Sequence, residues 1–296
     1  MARILITGSN GQVGFELQRA IAPLGDVVAM DRSGLDLSDP NGSIEVLEQH
    51  QPNVIINAAA YTAVDKAENE SDLARAVNTV APGVISEWAA RRNALFVHYS
   101  TDYVFDGTGE NAYREDDPAN PQSVYGVTKR DGEDAVRRAM SKHLILRTSW
   151  VVGAHGGNFL KTVLRLAQDR DTLRIVADQF GAPTSAELIA DVTAQLVSRY
   201  LSSPESFTFG TYHLAASGET NWCEYARYIL TLAEAKGLDL RARASDIQPI
   251  KSHEYPLPAK RPANSRLDCT KLATGYGLVL PDWREGVAHV FEQLHP

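Results

Sequence analysis

Apolar and polar positions follow two alternating rhythms through the first half of the chain. Compact apolar runs at residues 3–7, 26–31, 52–60, 95–101 and 143–150 each lead into or follow a stretch with the helical repeat. Apolar runs this continuous suit strands covered on both faces, as in a parallel sheet. Helices are predicted over residues 15–21, 43–50, 71–91 and 123–140, the last capped by Ser123. A short Leu35-Asp36-Leu37 adds a further apolar segment, and at least six strand–helix alternations are complete by Trp150. That order predicts an α/β fold built on a doubly wound parallel sheet. Residues 107–122, with several Gly, Pro, Asn and Asp, read as a surface excursion. Beyond Trp150 the rhythm loosens, with helices expected at 158–168, 185–200, 222–236 and 283–293 and short strands at 173–177 and 211–215. A proline-rich stretch at 249–266 carries Lys251, Lys260, Arg261 and Arg266. We therefore expect a dinucleotide-binding domain over residues 1–150 and a smaller, interleaved substrate region over 151–296.

The first strand–helix junction is Gly8-Ser9-Asn10-Gly11-Gln12-Val13-Gly14. Gly8 permits a tight turn, Gly11 lets backbone amides approach a pyrophosphate, and Gly14 lets helix and strand pack closely, the mechanics of a Rossmann-type nucleotide turn. About twenty residues on, the second strand ends in Asp31, placed to hold a ribose hydroxyl of NAD. Arg32 follows and suits the 2′-phosphate of NADP, so these residues leave the choice between NADH and NADPH open. Ala58 to Ala60 end the third long run with small side chains, either to admit a cofactor or to pack beneath a helix. Asn78, inside the 71–91 helix, faces either solvent or the sheet.

Ser100-Thr101-Asp102-Tyr103-Val104-Phe105-Asp106-Gly107 places Thr101 where a buried strand runs out into a loop, the edge at which α/β enzymes keep their chemistry. Tyr125 and Lys129 stand i, i+4 and share a helix face. A hydroxyl, a phenol and an ammonium brought together can polarise a carbonyl and protonate it, which points to carbonyl reduction. Tyr125 then donates the proton, and Thr101 hydrogen-bonds the oxygen on which charge grows. The Lys129 ammonium would move a phenol pKa of about 10 towards neutrality, a shift of about three units or roughly 4 kcal/mol.

Composition narrows the function further. A net charge of -8 argues against a nucleic-acid-binding surface, which needs clustered Lys and Arg. The two cysteines, Cys223 and Cys269, lie in no C-x-x-C or Cys/His cluster, so a disulfide framework or structural zinc is not expected and a reducing cytosol is. His98, His143, His213 and His253 show no metal-ligand spacing and read as structural. No run approaches the roughly 18 apolar residues of a membrane span.

Together these strings resemble the extended short-chain dehydrogenase/reductase family and, within it, the dTDP-4-dehydrorhamnose reductases. The likeness spans essentially the whole chain. It rests on the glycine turn, Asn57-Ala58-Ala59-Ala60-Tyr61-Thr62-Ala63-Val64-Asp65, residues 100–107, residues 125–129 and Arg147-Thr148-Ser149-Trp150. Gln179-Phe180-Gly181-Ala182-Pro183-Thr184 and Arg261-Pro262-Ala263-Asn264-Ser265-Arg266-Leu267 complete it.

The resemblance implies reduction of the C4 keto group of dTDP-4-dehydro-6-deoxy-L-mannose to dTDP-L-rhamnose by NADPH or NADH. It implies cofactor contacts at Gly11, Gln12, Val13, Asp31, Asp36, Leu37, Ala60, Tyr61, Thr62 and Tyr99, with Lys129 on the nicotinamide ribose. Thr101 and Asp102 match positions that meet the sugar, and Trp150 an aromatic that packs on it. Arg261 and Arg266 are candidates to grip the pyrophosphate. It also implies a homodimer with magnesium between subunits, for which Glu16 and Glu187 occupy matching contexts and Glu292 is a candidate third ligand; exposed helix glutamates are the competing reading. Two rivals share the fold. An epimerase or dehydratase would return the hydride, yet dehydratases commonly carry Asp-Glu after the Thr, where this chain has Asp102-Tyr103. A non-catalytic NADP-binding regulatory subunit would not need the intact Tyr125 and Lys129.

Overall fold

The computed structural model describes residues 1–295. Its centre is a six-stranded sheet, parallel throughout, formed by β1 (Ala2–Thr7), β2 (Gly25–Met30), β3 (Val54–Asn57), β4 (Leu95–Thr101), β5 (His143–Thr148) and the strand Gly210–His213. Across the sheet the order is Gly210–His213, β5, β4, β3, β1, β2. Chain direction across the sheet reverses between β1 and β3, and the crevice beyond the carboxyl ends of those strands is where open α/β sheets take ligands.

Successive side chains on a strand point to opposite faces, so each central strand feeds two cores. Ile4 and Ile6 enter one core with Leu17 and Ile189, while Leu5 enters the other with Phe96, Ile145 and Trp88. The helices α1 (Gln12–Ile21) and Ala186–Ser202 pack against each other on the first face. On the second, Ala81–Arg91 lies between α2 (Pro40–His50) and Val124–Ala139. A third core, centred on Val163, Ile229, Trp283 and Val287, joins the helices Phe159–Asp169, Trp222–Ala235 and Trp283–Leu294.

Two sequence expectations need correction. Five strands, not six, precede residue 150, because Leu35-Asp36-Leu37 forms no ladder. Leu35 and Leu37 are buried, but the Asp36 carboxylate accepts from the Ser38 N–H (2.9 Å) and hydroxyl (2.7 Å), which turns the chain at once. The sixth strand comes instead from Gly210–His213. The 71–91 helix is also not regular: Ser71–Arg75 passes into Ala81–Arg91 through a π-helical turn at Ala76–Val80. This widening rotates Asn78 inwards, leaving it 1% exposed.

The excursion over 107–122 is pinned from far along the chain. Asn264 Nδ2 donates to the Gly109 and Asn111 carbonyls, and the Tyr113 N–H donates to the Arg266 carbonyl (2.9 Å).

Candidate active site

A cleft of about 520 Å³ opens where β1 and β3 run out. Gly8, Gly11, Gln12 and Val13 form one wall. Gly8 takes φ +69°, and a Cβ there would press on the Ala59 backbone; a Cβ at Gly14 would collide with the Gly8 carbonyl oxygen. These two positions therefore require glycine on steric grounds. The first turn of α1 carries no acidic residue and no side-chain cap, so its amides are free to meet an anion.

The β2 end supplies Asp31, Arg32, Asp36 and Leu37. Asp31 is heavily engaged: Oδ1 accepts from the Ser33 N–H (2.9 Å) and hydroxyl (2.6 Å), and Oδ2 from Asn10 Nδ2 (2.8 Å). The Ser33 hydroxyl leads the hydrogen bonds that hold its pKa below the ordinary carboxylate value. Arg32 is 75% exposed and reaches only Asp36, at 3.3 Å. The β3 exit contributes Ala60, Tyr61 and Thr62. There Asn78 clasps the Tyr61 backbone, its Oδ1 accepting from the N–H (2.9 Å) and its Nδ2 donating to the carbonyl (3.0 Å). Glycine cradle, uncapped helix start and flanking acid and arginine together fit a dinucleotide.

Tyr99, Tyr125 and Lys129 face the same cleft. Ser123 caps the helix that carries the last two, its Oγ accepting from the Gly126 N–H (3.2 Å). Lys129 is 2% exposed and donates to the Tyr99 carbonyl (2.6 Å). Burial lowers its pKa to about 8. Burial also raises the Tyr125 phenol above its ordinary value, partly offset by hydrogen bonding with Thr101. Protein groups alone thus push Tyr125 away from neutrality, contrary to the effect ascribed to Lys129 from sequence.

Thr101 and Asp102 are buried beneath this edge, with Thr101 Oγ1 donating to Asp102 Oδ1 (3.0 Å) while Asp102 Oδ2 has no partner. Burial pushes the Asp102 carboxyl up to about 6. A carboxyl with a folded pKa above its unfolded value costs stability as pH rises between the two, here from about 4 to about 6. Asp102→Asn should therefore raise the melting temperature most at pH values above about 6, by the equivalent of about 1–3 kcal/mol, with the gain shrinking towards about pH 4. A pH-independent difference in thermal melts would contradict this.

On the substrate side, Trp150 adopts φ +47°, uncommon for a bulky residue, and stacks on Trp222 with ring centroids 3.7 Å apart. The structure commits both candidate arginines to protein acceptors. Arg261 pairs with Asp65 (2.6 Å) and donates to the Tyr103 hydroxyl (2.8 Å), and Tyr103 packs edge-on against Tyr125 at 5.4 Å. Arg266 binds Glu219 (3.1 Å), Asn264 Oδ1 (2.8 Å) and the Glu110 carbonyl (2.6 Å), and borders a separate cavity of about 280 Å³ beside Ser149.

The acidic trio does not assemble. Glu16 and Glu187 are buried rather than exposed, and repulsion from Glu16 adds to the burial that raises Glu187. Glu292 turns away to Lys236 (3.0 Å), and among the described residues no three His, Cys, Asp or Glu side chains gather as a metal group.

A family model for the RmlD substrate binding domain matches residues 2–295. The chain belongs to this family. It is 45% identical to a dTDP-4-dehydrorhamnose reductase of Escherichia coli K12 over 295 residues, covering 98% of this chain and 97% of that one. It is 46% identical to a protein of the same description from Burkholderia thailandensis, covering 96% of each. Among solved structures, a family member from Clostridium acetobutylicum superposes with a TM-score of 0.90 at 36% identity, over 99% of this chain and 100% of that one. One from Bacillus anthracis, in complex with NADP, gives 0.89 at 32% identity, over 99% of both chains.

Several cleft residues went unnoticed in the sequence. Asn10 and Ser33 stand beside Asp31, and only the local bonds they make reveal them. Leu73, Val77, Thr148 and Val151 arrive from distant elements and carry no local signal.

Proposed function

We propose that this chain reduces the C4 carbonyl of dTDP-4-dehydro-6-deoxy-L-mannose with a reduced nicotinamide dinucleotide, giving dTDP-L-rhamnose. The observation that carries this reading is the meeting of the glycine turn with Tyr125 and Lys129 in one cleft. Its support from relatives is the reductase name shared at 45% identity over nearly the full length.

When bound, the reduced nicotinamide supplies hydride to C4. The remaining work falls to side chains. Amides at the start of α1 bind the pyrophosphate, and Lys129 holds the ribose. Tyr125 Oη gives its proton to the O4 oxygen, and Thr101 turns its single hydroxyl proton from Asp102 Oδ1 to that oxygen as negative charge grows. Arg261 acts at one remove, bracing Tyr103 against the Tyr125 ring. Trp150, at the end of the dinucleotide-binding region, and Trp222, from residues 151–296, offer a stacked face to the sugar nucleotide. Two unpaired cysteines accord with a reducing cytosol.

NADPH is the preferred donor in this reading. Asp31 already accepts from Ser33 at one oxygen and from Asn10 of the glycine turn at the other, whereas the exposed Arg32 is held only by Asp36 at 3.3 Å and can exchange that exposed partner for a 2′-phosphate. Arg32→Ala should raise the KM for NADPH roughly three- to tenfold and leave that for NADH within about twofold. Equal effects on both cofactors would remove Arg32 from phosphate recognition. The reaction itself is tested by mixing protein, the 4-keto sugar nucleotide and NADPH or NADH and following the reduced-nicotinamide absorbance. No consumption with either donor would defeat the proposal.

A further inference from the structure

Beneath the cleft runs a buried hydrogen-bond chain whose direction is set by the Thr7 hydroxyl, which lies 2.6 Å from Asn57 Oδ1, an O–H···O distance. The Ala59 N–H donates to Thr7 Oγ1 (3.1 Å), and the Thr7 hydroxyl donates to Asn57 Oδ1 (2.6 Å). This turns Asn57 Nδ2 towards His98 Nδ1 at 3.0 Å, where the ring nitrogen must accept. A neutral imidazole that accepts at Nδ1 carries its proton on Nε2. Nε2 faces Lys129 Nζ at 3.4 Å, and Lys129 donates onward to the Tyr99 carbonyl at 2.6 Å. Thr7, Asn57 and His98 are 1% exposed, so bulk water offers them no alternative partners, while Lys129, 2% exposed, meets water only through the cleft it lines.

The chain begins at a backbone N–H and ends at a backbone C=O. Every member is satisfied in one direction only if Nζ accepts from His98 while donating to Tyr99, which an amine does and an ammonium, with three donors and no acceptor, does not. The Lys129–His98 contact is the longest link, and it is the link that a proton on the lysine would oppose.

We infer that His98 is a positioning residue for Lys129, oriented by Asn57 and Thr7 so that its Nε2–H stabilises the amine form of the lysine. Its use in turnover rests on the reductase reading. Tyr125 loses a proton to the substrate oxygen and must regain one. The proton is passed by way of the cleft both side chains line: an N–H bond of the Lys129 ammonium breaks, the Tyr125 O–H bond re-forms, and the resulting amine takes a proton from water in that cleft. A donor waiting at His98 favours that release.

The surrounding charges are few and act in known directions. Glu133, one turn along the same helix, favours the ammonium, but it is itself neutralised by Arg147 and Arg137. Burial foremost, then Lys129 and His143, keep His98 well below its ordinary pKa and therefore neutral. Asp102 and Tyr103 bear on Tyr125 rather than on the lysine.

The test uses the full chain without substrate. Lysine ¹³Cε resonances, with Lys129 assigned by its loss in Lys129→Met, report the amine's titration, and ¹⁵N shifts report the His98 tautomer. Near about pH 10, where the amine prevails, we expect a neutral ring protonated at Nε2. His98→Leu, which removes the donor, should raise the Lys129 pKa by about one unit, and His98→Gln, whose amide can donate from a similar place, should return it to within about 0.3 unit. The alkaline limb of the kcat profile should move in the same order, with kcat for His98→Leu falling about tenfold and the NADPH KM staying within about twofold. A ring protonated at Nδ1 near that pH, or a Lys129 pKa unchanged or lowered in His98→Leu, overturns the inference. If that variant does not fold, the wild-type tautomer decides alone. Failure to oxidise NADPH would count against the reductase reading and leave the spectra, and this inference, untouched.

Discussion

Tyr125→Phe is expected to lower kcat by about a thousandfold or more while the dissociation constant for NADPH stays within about twofold. The substitution deletes one oxygen from a half-buried ring at the cleft wall and leaves its shape, so its packing against Tyr103 persists. What disappears is the proton source and the hydrogen bonding with Thr101. Hydride transfer to a carbonyl with no proton donor leaves an alkoxide in a buried site, and the cost of that charge falls on the chemical step rather than on cofactor binding. Steady-state turnover and a fluorescence titration with NADPH separate the two. Substantial remaining turnover would shift the donor role to another group. Burial raises the phenol's pKa, so the protein frame by itself keeps Tyr125 protonated and ready to donate. The cost of leaving it as phenolate must be met by charge in the assembled site, and a positive nicotinamide after hydride transfer acts in that sense.

The parts of this site that were legible in the sequence are those whose mechanics are local. Gly8 and Gly14 meet each other across one turn, Ser123 caps the helix it precedes, and Tyr125 and Lys129 are neighbours by helical spacing. Each can be read from a window of a few residues. The illegible parts depend on contacts between distant segments. A short strand at 211–215 was legible, but not that Gly210–His213 joins the central sheet, because that depends on the free edge of β5. Arg261 looked free to grip a pyrophosphate, because nothing near it in sequence reveals Asp65, its partner across 196 residues. Asn78 faces inwards because of a π turn, and helical periodicity assumes there is none. His98 had no ligand-like spacing and read as structural, whereas its partners Asn57 and Lys129 come from a neighbouring strand and a helix on the sheet.

Arg147→Met is expected to destabilise the fold by about 3–5 kcal/mol, the range for removing one partner of a buried ion pair. Glu133 is fully buried and Arg147 is 3% exposed. The guanidinium binds the carboxylate through two hydrogen bonds, 2.8 Å from Nε and 2.7 Å from Nη2, and lies over the Phe105 ring at 5.0 Å. In the wild type these bonds outweigh burial and hold Glu133 below its ordinary pKa. A depressed carboxyl contributes stability above its unfolded pKa, and that contribution is lost as pH falls through the folded value. Without Arg147 burial dominates, with Arg137 at 2.7 Å the remaining cation on the carboxylate, so the sign reverses and the variant should gain stability relative to wild type on acidification. Urea denaturation at two pH values measures this directly, and a parallel loss at both would refute it. Combining Arg147→Met with Glu133→Leu should cost clearly less than the sum of the single changes, because the second removes the charge the first strands. The pair also reaches the chemistry. Glu133 is the one group identified as favouring the Lys129 ammonium, so its loss should move the lysine's titration down while loss of the His98 donor moves it up. Opposite shifts from two neighbours of one amine would show that the buried frame, as much as the cleft, sets the acidity on which proton return depends.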